Sequence, residues 1–450
     1  MLKLKLQLLF VAVLYSSLIS AGRSRRRPFR KNDTTHVDKK LKFNEETYNE
    51  HSKEELIQII KRLKDQISKK NDKPQSPPKS RKKSKRPFDF SKCSFRHIAL
   101  KMLYLGWDYH GLVTQLDNEN GIEKYLFEAL IKSCLIEDRN KCNYHRCGRT
   151  DKGVSSFSQV ISITVRSSLK DGQTDDEELP YCKMLNALLP RDIRVISWAP
   201  VPQDFSARYS CKKRTYKYWF PLGDLDIEKM NEALKSIIGV HDFRNLCKMD
   251  VKNGITIFTR EIFEARVSLQ KNRLSSHDPI SKSYSMCELT IIGKGFLWHQ
   301  IRAIVTVLFL VGQARETVNI FSELLNIDKC PKKPVYGLAD PLPLNLYGCE
   351  YDDVNWRTDQ EELKKITDVL QSFWTCSAVK CAMIENMIVD LSDKNELVTA
   401  NDRVYATLLH DSRSKVYKPL MSRATEEGLE NRINYHQGKG RLKWITTPST

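Results

Sequence analysis

Hydrophobic and polar positions alternate along the middle of the chain in short runs that change period. "HIALKMLYLG" alternates as a strand does, "IEKYLFEALIKSCL" repeats its apolar positions with helical spacing, and "FSQVISITVRS" alternates again. "YCKMLNALL" predicts a helix, and "IRVISWAPV" and "RTYKYWF" predict two further strands. Strands interleaved with helices on this scale indicate an α+β fold.

A second unit with the same mixture begins near residue 226. The pattern predicts a helix to about residue 240, strands over 259–269 and 283–292, and a helix through "WHQIRAIVTVLFLVG". After residue 356 it predicts a helix of mixed character and then a polar, basic tail. We therefore predict two halves, residues 88–225 and 226–356, and a helical and basic C-terminal extension, residues 357–450.

The first 87 residues carry most of the net charge. They contain 24 Lys and Arg against 9 Asp and Glu, a net of +15, whereas the whole chain carries +19. Within residues 23–87, apolar spacing predicts a short amphipathic helix over 52–69, followed by a Pro-, Ser- and Lys-rich linker that we expect to be disordered. This basic tail indicates an anionic partner, RNA or DNA ahead of a membrane, although Lys-rich tails also serve solubility alone.

Residues 1–22 have the form of a secretory signal peptide, with two early lysines, an apolar run and small residues after it. A mitochondrial presequence or a wrongly assigned first exon would look similar. The twelve cysteines contain no CxxC pair and no zinc-finger spacing, which favours free thiols in a reducing compartment. We therefore discount the segment as a targeting signal and predict a protein of nucleus and cytoplasm with no membrane span.

The motif "YHRCGRTDKGV", residues 144–154, holds one carboxylate among three cations. Arg146 and Arg149 precede Asp151, and Lys152 follows it, on a loop that leads into a predicted strand. It could be a turn residue in a basic RNA-binding loop, a metal ligand or a catalytic carboxylate. The motif has too few glycines to cradle phosphate as a P-loop does.

The neighbouring His145 and Cys147 raise the metal and thiol alternatives. A zinc site needs a third and a fourth protein ligand with matching spacing, and none is apparent nearby. A Cys147 nucleophile would need a separately positioned histidine. Neither demand is met by the surrounding sequence.

A catalytic carboxylate makes a demand that the chain does meet. It must be ionised and oriented by a cation in a pocket that excludes water. Arg302 is the only charge between Lys294 and Arg315, in an almost wholly apolar helix, and a buried Arg is rarely unpaired. The alternative is an Arg that extends from a core helix to solvent.

Four motifs together resemble the TruA family of tRNA pseudouridine synthases. "CGRTDKGVSSFSQVISI", "KKRTYKYWF", "GKGFLWHQIRAIVTVL" and "PLPLNLYGCEY" occur in the order and at roughly the spacing of that family, over residues 88–356. Pro343 stands where bacterial members have a glycine. The lead-in "RPFDFSKCSFRHIALKMLYLGW" and the C-terminal "KPLMSRATEEGLENRINYHQGKGRLK" point to the eukaryotic branch, which modifies uridines 38 and 39 of the tRNA anticodon stem-loop.

The resemblance implies a fold and a set of catalytic roles. The fold is two ferredoxin-like (RRM-like) halves around a central cleft, usually in a homodimer that tRNA spans. Asp151 would be the catalytic nucleophile, and Arg302 would pair with it and hold it ionised. Tyr216 would stack on the detached uracil, with removal of the C5 proton as a further role. Leu344 would form the floor of the pocket.

The resemblance also implies how tRNA is held and what is not required. Arg149 would occupy the space of the flipped-out uridine, Lys152 and Arg146 would contact phosphate, and His299 would line the substrate site or pack structurally, as would His145 and Gln300. Isomerising uridine needs no cofactor and no metal. The remaining alternatives are a synthase for other tRNA or small nuclear RNA uridines, an organellar paralogue, and a non-catalytic RNA-binding protein of the same fold.

Overall fold

The computed structural model describes residues 88–114, 120–169, 177–270, 282–393, 403–409 and 416–439. The signal-like segment, the predicted helix 52–69 and the basic linker lie outside these residues. All of the described residues belong to one unit, Pro87–Thr450.

Strands and helices are interleaved along the described chain, and those that the hydrophobic pattern predicts appear in the predicted order. In chain order they are β1 (Ser94–Tyr104), α1 (Ile122–Lys132), β2 (His145–Arg146), β3 (Ser155–Ser167), α2 (Tyr181–Asn186), β4 (Ile193–Pro200), β5 (Lys213–Pro221), α3 (Ile227–Leu234), β6 (Gly239–Asp242), β7 (Thr259–Leu269), β8 (Met286–Gly293), α4 (Gln300–Gly312), α5 (Ile320–Leu325), β9 (Leu344–Glu350), α6 (Gln360–Asp393) and α7 (Leu429–Gly438).

One mixed sheet joins all the described strands, in the order β4-β1-β3-β9-β5-β8-β7-β6, with β2 added on β3. β9 lies at its centre, parallel to β3 and antiparallel to β5. The other pairs are antiparallel. A strand from late in the chain therefore joins β3, which follows Asp151, to β5, which carries Tyr216.

Helices cover the two ends of the sheet with separate hydrophobic clusters. α1 and α2 pack with β1, β3 and β4 in one cluster, and α3, α4 and α5 pack with β5, β7 and β8 in another. α4 is apolar around nearly its whole circumference, which is typical of a helix buried on all sides. A third, smaller cluster contains Cys147, Cys211 and Cys349.

The α+β class that the sequence predicts is confirmed. Most predicted elements are present, but the strand expected from residue 283 begins at Met286, and the helix expected to residue 240 ends at Leu234. A 3-10 turn, Lys235–Ile237, and the short strand β6 take up the remaining residues. Within the described part of the chain, no helix is both long and apolar enough to cross a membrane.

Candidate active site

The loop that carries Asp151 is fixed by hydrogen bonds on both sides of the residue. The preceding Thr150 is buried, and its Oγ1 lies 2.8 Å from the Tyr104 hydroxyl. The Asp151 carbonyl accepts a hydrogen bond from the Val154 N–H at 3.1 Å, which closes a tight turn. Gly153 in that turn has φ +81°, a conformation that favours glycine. The turn therefore presents the Asp151 side chain in a fixed position just before β3.

Three side chains from one short segment surround the Asp151 carboxylate. The Trp298 indole Nε1–H donates to Oδ1 at 3.1 Å. His299 Nε2 lies 3.4 Å from Oδ2, and an Arg302 guanidinium nitrogen lies 3.8 Å from the same oxygen. A quarter of the Asp151 side-chain surface remains exposed. The carboxylate is thus held by the protein on several sides and still open to a substrate.

The start of α4 brings these three side chains to one point. His299 is the N-cap residue and has φ 62°, a left-handed conformation that is unusual for a residue with a side chain. The neighbouring Gln300 is buried, and its Oε1 accepts from the Leu297 N–H at 2.8 Å. Gln300 therefore stabilises the turn before α4, and this turn lets Trp298 and His299 both approach Asp151.

Burial and hydrogen bonding act on the Asp151 carboxyl in opposite directions. Burial raises its pKa, while the Arg302 charge, the Trp298 hydrogen bond and the Lys248 charge lower it, and the net result is a raised pKa. The Arg302 charge acts in the expected direction, because it lowers this pKa, but at 3.8 Å its attraction is outweighed by desolvation.

His299 faces Asp151 as a neutral ring. Burial, with the charges of Arg302 and Lys248, lowers the pKa of His299 to about 3. Near neutral pH the ring is therefore uncharged, and its contact with the carboxylate at 3.4 Å is not an ion pair. The other ring nitrogen, Nδ1, is buried and has no hydrogen-bond partner among the described residues.

Arg302 also ties α4 to the loop before β9. Its Nε–H donates to the Ala339 carbonyl at 2.7 Å. Five residues later, Leu344 is buried and pairs with Tyr218 of β5. Arg302 thus contacts both Asp151 and the segment that leads to Leu344.

Tyr216 on β5 makes an aromatic contact with the segment before α4, which also carries Trp298 and His299. Its ring meets Phe296 edge to face, with centroids 5.1 Å apart, and Phe296 precedes Trp298 by two residues. Burial raises the pKa of the Tyr216 hydroxyl, which keeps it protonated near neutral pH. Tyr216 also pairs with Leu346 of β9, so the central strand connects it to the Leu344 segment.

Comparison with known proteins identifies the family. Residues 233–352 match the family model described as tRNA pseudouridine synthase. The tRNA pseudouridine(38/39) synthase of Homo sapiens is 42% identical over 389 residues, 80% of this chain and 81% of that protein. The Saccharomyces cerevisiae protein of the same name is 37% identical over 376 residues, 78% and 79% of the two chains.

This chain belongs to the tRNA pseudouridine synthase family. A more distant member, tRNA pseudouridine synthase A of Methanosarcina mazei, is 32% identical over 276 residues, which are 60% of this chain and 91% of that protein. The chain is therefore an enzyme, an isomerase that acts on tRNA uridine. The family model covers Arg302 and Leu344, and it begins after Asp151 and Tyr216.

Two of the three cations predicted to contact tRNA are exposed, and the third, Arg146, forms an ion pair inside the protein. Arg149 and Lys152 are exposed on either side of Asp151. The Arg146 guanidinium instead pairs with the buried carboxylate of Glu123 on α1. Arg139 binds the same carboxylate at 2.7 Å. Arg146 therefore neutralises a buried charge in this pseudouridine synthase, and its contact with phosphate stays a prediction.

The metal interpretation of the Asp151 motif is not supported either. His145 is exposed on β2, whereas Cys147 is buried. Among the described side chains, one group has donor atoms close enough for a metal ion, and it joins Cys147 to Cys211 and Cys349. That group includes neither His145 nor Asp151.

The sequence analysis did not predict two residues that lie near the Asp151 carboxylate. Trp298 donates to Asp151, and Lys248 places its ammonium 4.1 Å from the centre of the Trp298 ring. The Lys248 N–H also donates to the Trp298 carbonyl at 2.9 Å. The signal for Trp298 was its position one residue before His299 within a motif already singled out. Lys248 lies in a loop with no pattern of its own.

Proposed function

We propose that this enzyme converts uridines 38 and 39 of the tRNA anticodon stem-loop to pseudouridine, with Asp151 as the nucleophile. The observation that carries the proposal is the Asp151 carboxylate, partly open to solvent and held by Trp298, His299 and Arg302. The relatives named tRNA pseudouridine(38/39) synthase support the choice of substrate.

The reaction exchanges one bond to the ribose for another. The bond between uracil N1 and ribose C1′ breaks, the base rotates, and a bond between C5 and C1′ forms, while C5 loses a proton and N1 gains one. The ionised carboxylate of Asp151 can begin this by attack at C1′, or the reaction can run through a glycal. Either start requires a uridine extruded from its stack, as in other enzymes that act on a base.

The neighbouring side chains take complementary roles in this proposal. Arg302 and the Trp298 N–H stabilise the ionised carboxylate. Tyr216 stacks on the detached uracil, and its raised pKa favours stacking over removal of the C5 proton. Leu344 excludes water from the pocket, which protects the intermediate. Arg149 occupies the space that the extruded uridine leaves, and Lys152 binds phosphate.

The proposal is tested by carbodiimide mapping of pseudouridine in tRNA from cells that lack their own enzyme. Wild-type protein should restore the modification at positions 38 and 39, and the Asp151→Asn variant should restore neither. Asp204→Asn, which changes an exposed carboxylate elsewhere, is the matched control and should behave as wild type.

Different failures of this experiment identify different errors. Restoration at other uridines would assign another target and leave the nucleophile in place. Restoration by Asp151→Asn would exclude Asp151 as the nucleophile. Binding of tRNA without any modification by the wild type would favour the non-catalytic alternative.

We also propose that the described strands form two ferredoxin-like halves around a central cleft. One half contains β1, β3 and β4 with α1 and α2, and the other contains β5, β7 and β8 with α3 and α4. The two separate hydrophobic clusters support this division. β5 precedes the predicted boundary at residue 225 but pairs with β8 and β9, so in this proposal it belongs with the second half.

We propose a homodimer that associates through α6. This helix spans 34 residues, about 50 Å at the usual rise. It exposes five apolar side chains that share one face by their spacing: Val379, Met383, Ile384, Met387 and Leu391, each more than half exposed. A second copy offers the same stripe, which suits a two-fold interface.

Light scattering on the full chain tests the dimer. The wild type should have the mass of two chains, and a Met383→Glu, Met387→Glu double variant should have the mass of one. Ala382→Glu, a change on another face of the same helix, should remain dimeric. A monomeric wild type at micromolar concentration would reject the proposal.

For localisation we propose the nucleus and the cytoplasm. The support is the basic stretch "KSRKKSKRP" before the body of the enzyme. A fluorescent fusion at the C-terminus should enter the nucleus, and substitution of that stretch by Ser and Gly should reduce its entry. Accumulation in mitochondria or in the secretory pathway would instead assign a targeting role to residues 1–22.

A further inference from the structure

Three buried thiols meet in the sheet beside the active site. The sulfurs of Cys147, Cys211 and Cys349 all lie within 4.8 Å of one another. Each residue is buried, and none is in a disulfide. They come from three distant parts of the sequence: the residue after β2, the segment before β5, and β9. Their meeting is a product of the fold and has no counterpart in the spacing of the sequence.

Each cysteine lies close in sequence to a residue of the proposed catalytic site. Cys147 precedes Asp151 by four residues, Cys211 precedes Tyr216 by five, and Cys349 follows Leu344 by five. The three segments that carry these residues therefore meet at the thiols as well as at the proposed catalytic site. A single atom bonded to all three sulfurs would fix the relative positions of the three segments.

The spacing of the sulfurs suits a shared metal ion. Metal–sulfur bonds of about 2.3 Å place thiolate ligands about 4 Å apart, so a small contraction of the cluster would complete the coordination. Thiolates favour soft ions such as Cu⁺ and Zn²⁺. Ala99, Val160 and Ala207 pack in the same cluster, and their apolar, fully buried side chains would help to keep water away from such bonds.

A cation already lies beside the cluster. The Arg214 guanidinium donates to the Cys147 carbonyl at 3.1 Å and to the Arg208 carbonyl at 2.9 Å. Three thiolates with Zn²⁺ would have a net charge of −1, and with Cu⁺ a net charge of −2. The fixed charge of Arg214 would offset part of either, because opposite charges attract strongly where water is excluded.

We propose that Cys147, Cys211 and Cys349 bind one thiophilic metal ion, Zn²⁺ or Cu⁺, as a structural clip between the three catalytic segments. Binding forms three metal–sulfur bonds and releases three thiol protons to solvent, with no change of oxidation state. Three protein ligands match a three-coordinate Cu⁺, and a four-coordinate Zn²⁺ would have to enclose one water molecule as its further ligand. The ion takes no part in the isomerisation.

Elemental analysis of the full chain, purified under reducing conditions without added metal, tests the proposal. Wild-type protein should retain about one zinc or copper ion per chain, and the analysis identifies which. Cys211→Ala and Cys349→Ala should each lose most of it. Cys182→Ala is the matched control, because Cys182 is also buried but lies outside the cluster. Equal metal content in wild type and cluster variants would overturn the proposal.

A titration of metal-free wild type keeps the test independent of whether the variants fold. Folded wild-type protein, stripped by a chelator, should bind one Co²⁺ with a thiolate-to-cobalt charge-transfer band that Zn²⁺ displaces. An anaerobic arm with Cu⁺ and a competing chelator tests the other ion. Failure of the folded chain to bind in both arms would show that the cysteines pack only as small apolar side chains.

Discussion

At the scale of single residues, the Asp151 carboxylate is placed where it weakens the fold. A carboxyl group whose pKa is higher in the folded than in the unfolded state favours folding when it is protonated. Its contribution is therefore favourable below the ordinary value of 3.8 and is lost as the pH rises through the folded-state pKa. Near neutral pH the ionised carboxylate destabilises the native state, which is a frequent property of groups selected for catalysis.

We therefore predict that Asp151→Asn raises the melting temperature at pH 7 while it abolishes turnover. The amide keeps an oxygen that can accept from Trp298 and removes the buried charge. The gain should shrink as the pH falls towards 4, because the wild-type carboxyl then becomes protonated. Thermal unfolding of both proteins across this pH range measures the effect, and Asp204→Asn should change nothing. A lower melting temperature for Asp151→Asn at pH 7 would contradict the prediction.

Trp298 should help to set the pH below which the enzyme loses activity. Trp298→Phe keeps an aromatic ring and removes the N–H that stabilises the ionised Asp151, so the pKa of Asp151 should rise further. The acidic limb of the kcat/KM profile should then move to higher pH. Since a hydrogen bond to a charged group contributes about 1.5–3 kcal/mol, we expect kcat/KM at neutral pH to fall by about ten- to a hundredfold.

Release of tritium from C5-labelled uridine in tRNA measures this change. Trp374→Phe, at an exposed position on α6, is the control and should leave the profile unchanged. An unshifted acidic limb in Trp298→Phe would show that the indole N–H does not stabilise the reactive form.

The sequence predicted some of these residues for a physical reason and missed others for an equally physical one. Arg302 could be found because a single charge in an apolar helix needs a partner. Trp298 could not be distinguished from an ordinary packing residue, since its role depends on the left-handed turn at His299. The ion pair between Arg146 and Glu123 could not be predicted from the sequence, because Glu123 lies 23 residues earlier, on α1.

At the scale of elements, the site depends on a close approach between the end of β1 and the start of β3. Gly106 follows β1, and its N–H donates to the Ser155 hydroxyl at 2.9 Å. A Cβ at Gly106 would lie 1.9 Å from the Val154 carbonyl oxygen, which belongs to the backbone and cannot rotate away. The Asp151 loop therefore has its position only while residue 106 is a glycine.

We predict that Gly106→Ala destabilises the protein by about 3 kcal/mol or more. Chemical denaturation followed by tryptophan fluorescence measures the loss. Gly148→Ala is the matched control, because a Cβ there would meet nothing within 4 Å. Its unfolding midpoint should match that of the wild type, and an equal loss in both variants would show that the clash is not the cause.

The elements that hydrophobic periodicity predicted well are those with long regular faces, such as β7, whose predicted and observed limits coincide. β9 was not predicted as a strand. Its segment begins in the proline-rich "PLPLNL", and its place between β3 and β5 is set by partners far away in sequence. Local pattern cannot reveal a strand that is defined by such contacts.

At the scale of the whole molecule, charge is divided between two regions. Residues 1–87 carry a net charge of +15, which leaves about +4 for the rest. A polyanion such as tRNA is attracted by both, but the proposed chemistry lies only in the second. Binding affinity and turnover should therefore be separable.

We predict that deletion of residues 1–87 flattens the dependence of tRNA affinity on salt and keeps turnover. Fewer lysines and arginines would displace fewer counterions from the tRNA, so the slope of log affinity against log salt should become shallower. Filter binding at several salt concentrations measures the slope, and tritium release at saturating tRNA measures turnover. Loss of all turnover in the truncated chain would show that the basic tail takes part in the reaction.

The central position of β9 also affects the order in which the enzyme matures. The Ser156 hydroxyl donates to the Leu346 carbonyl, a partner 190 residues away, and Leu344 and Cys349 reach the site on the same strand. Such distant pairing is entropically expensive and forms slowly. During synthesis, a ribosome must release almost the entire body before this strand can insert. A nascent chain that already displays Asp151 therefore lacks a closed pocket and cannot modify tRNA until β9 has left the ribosome.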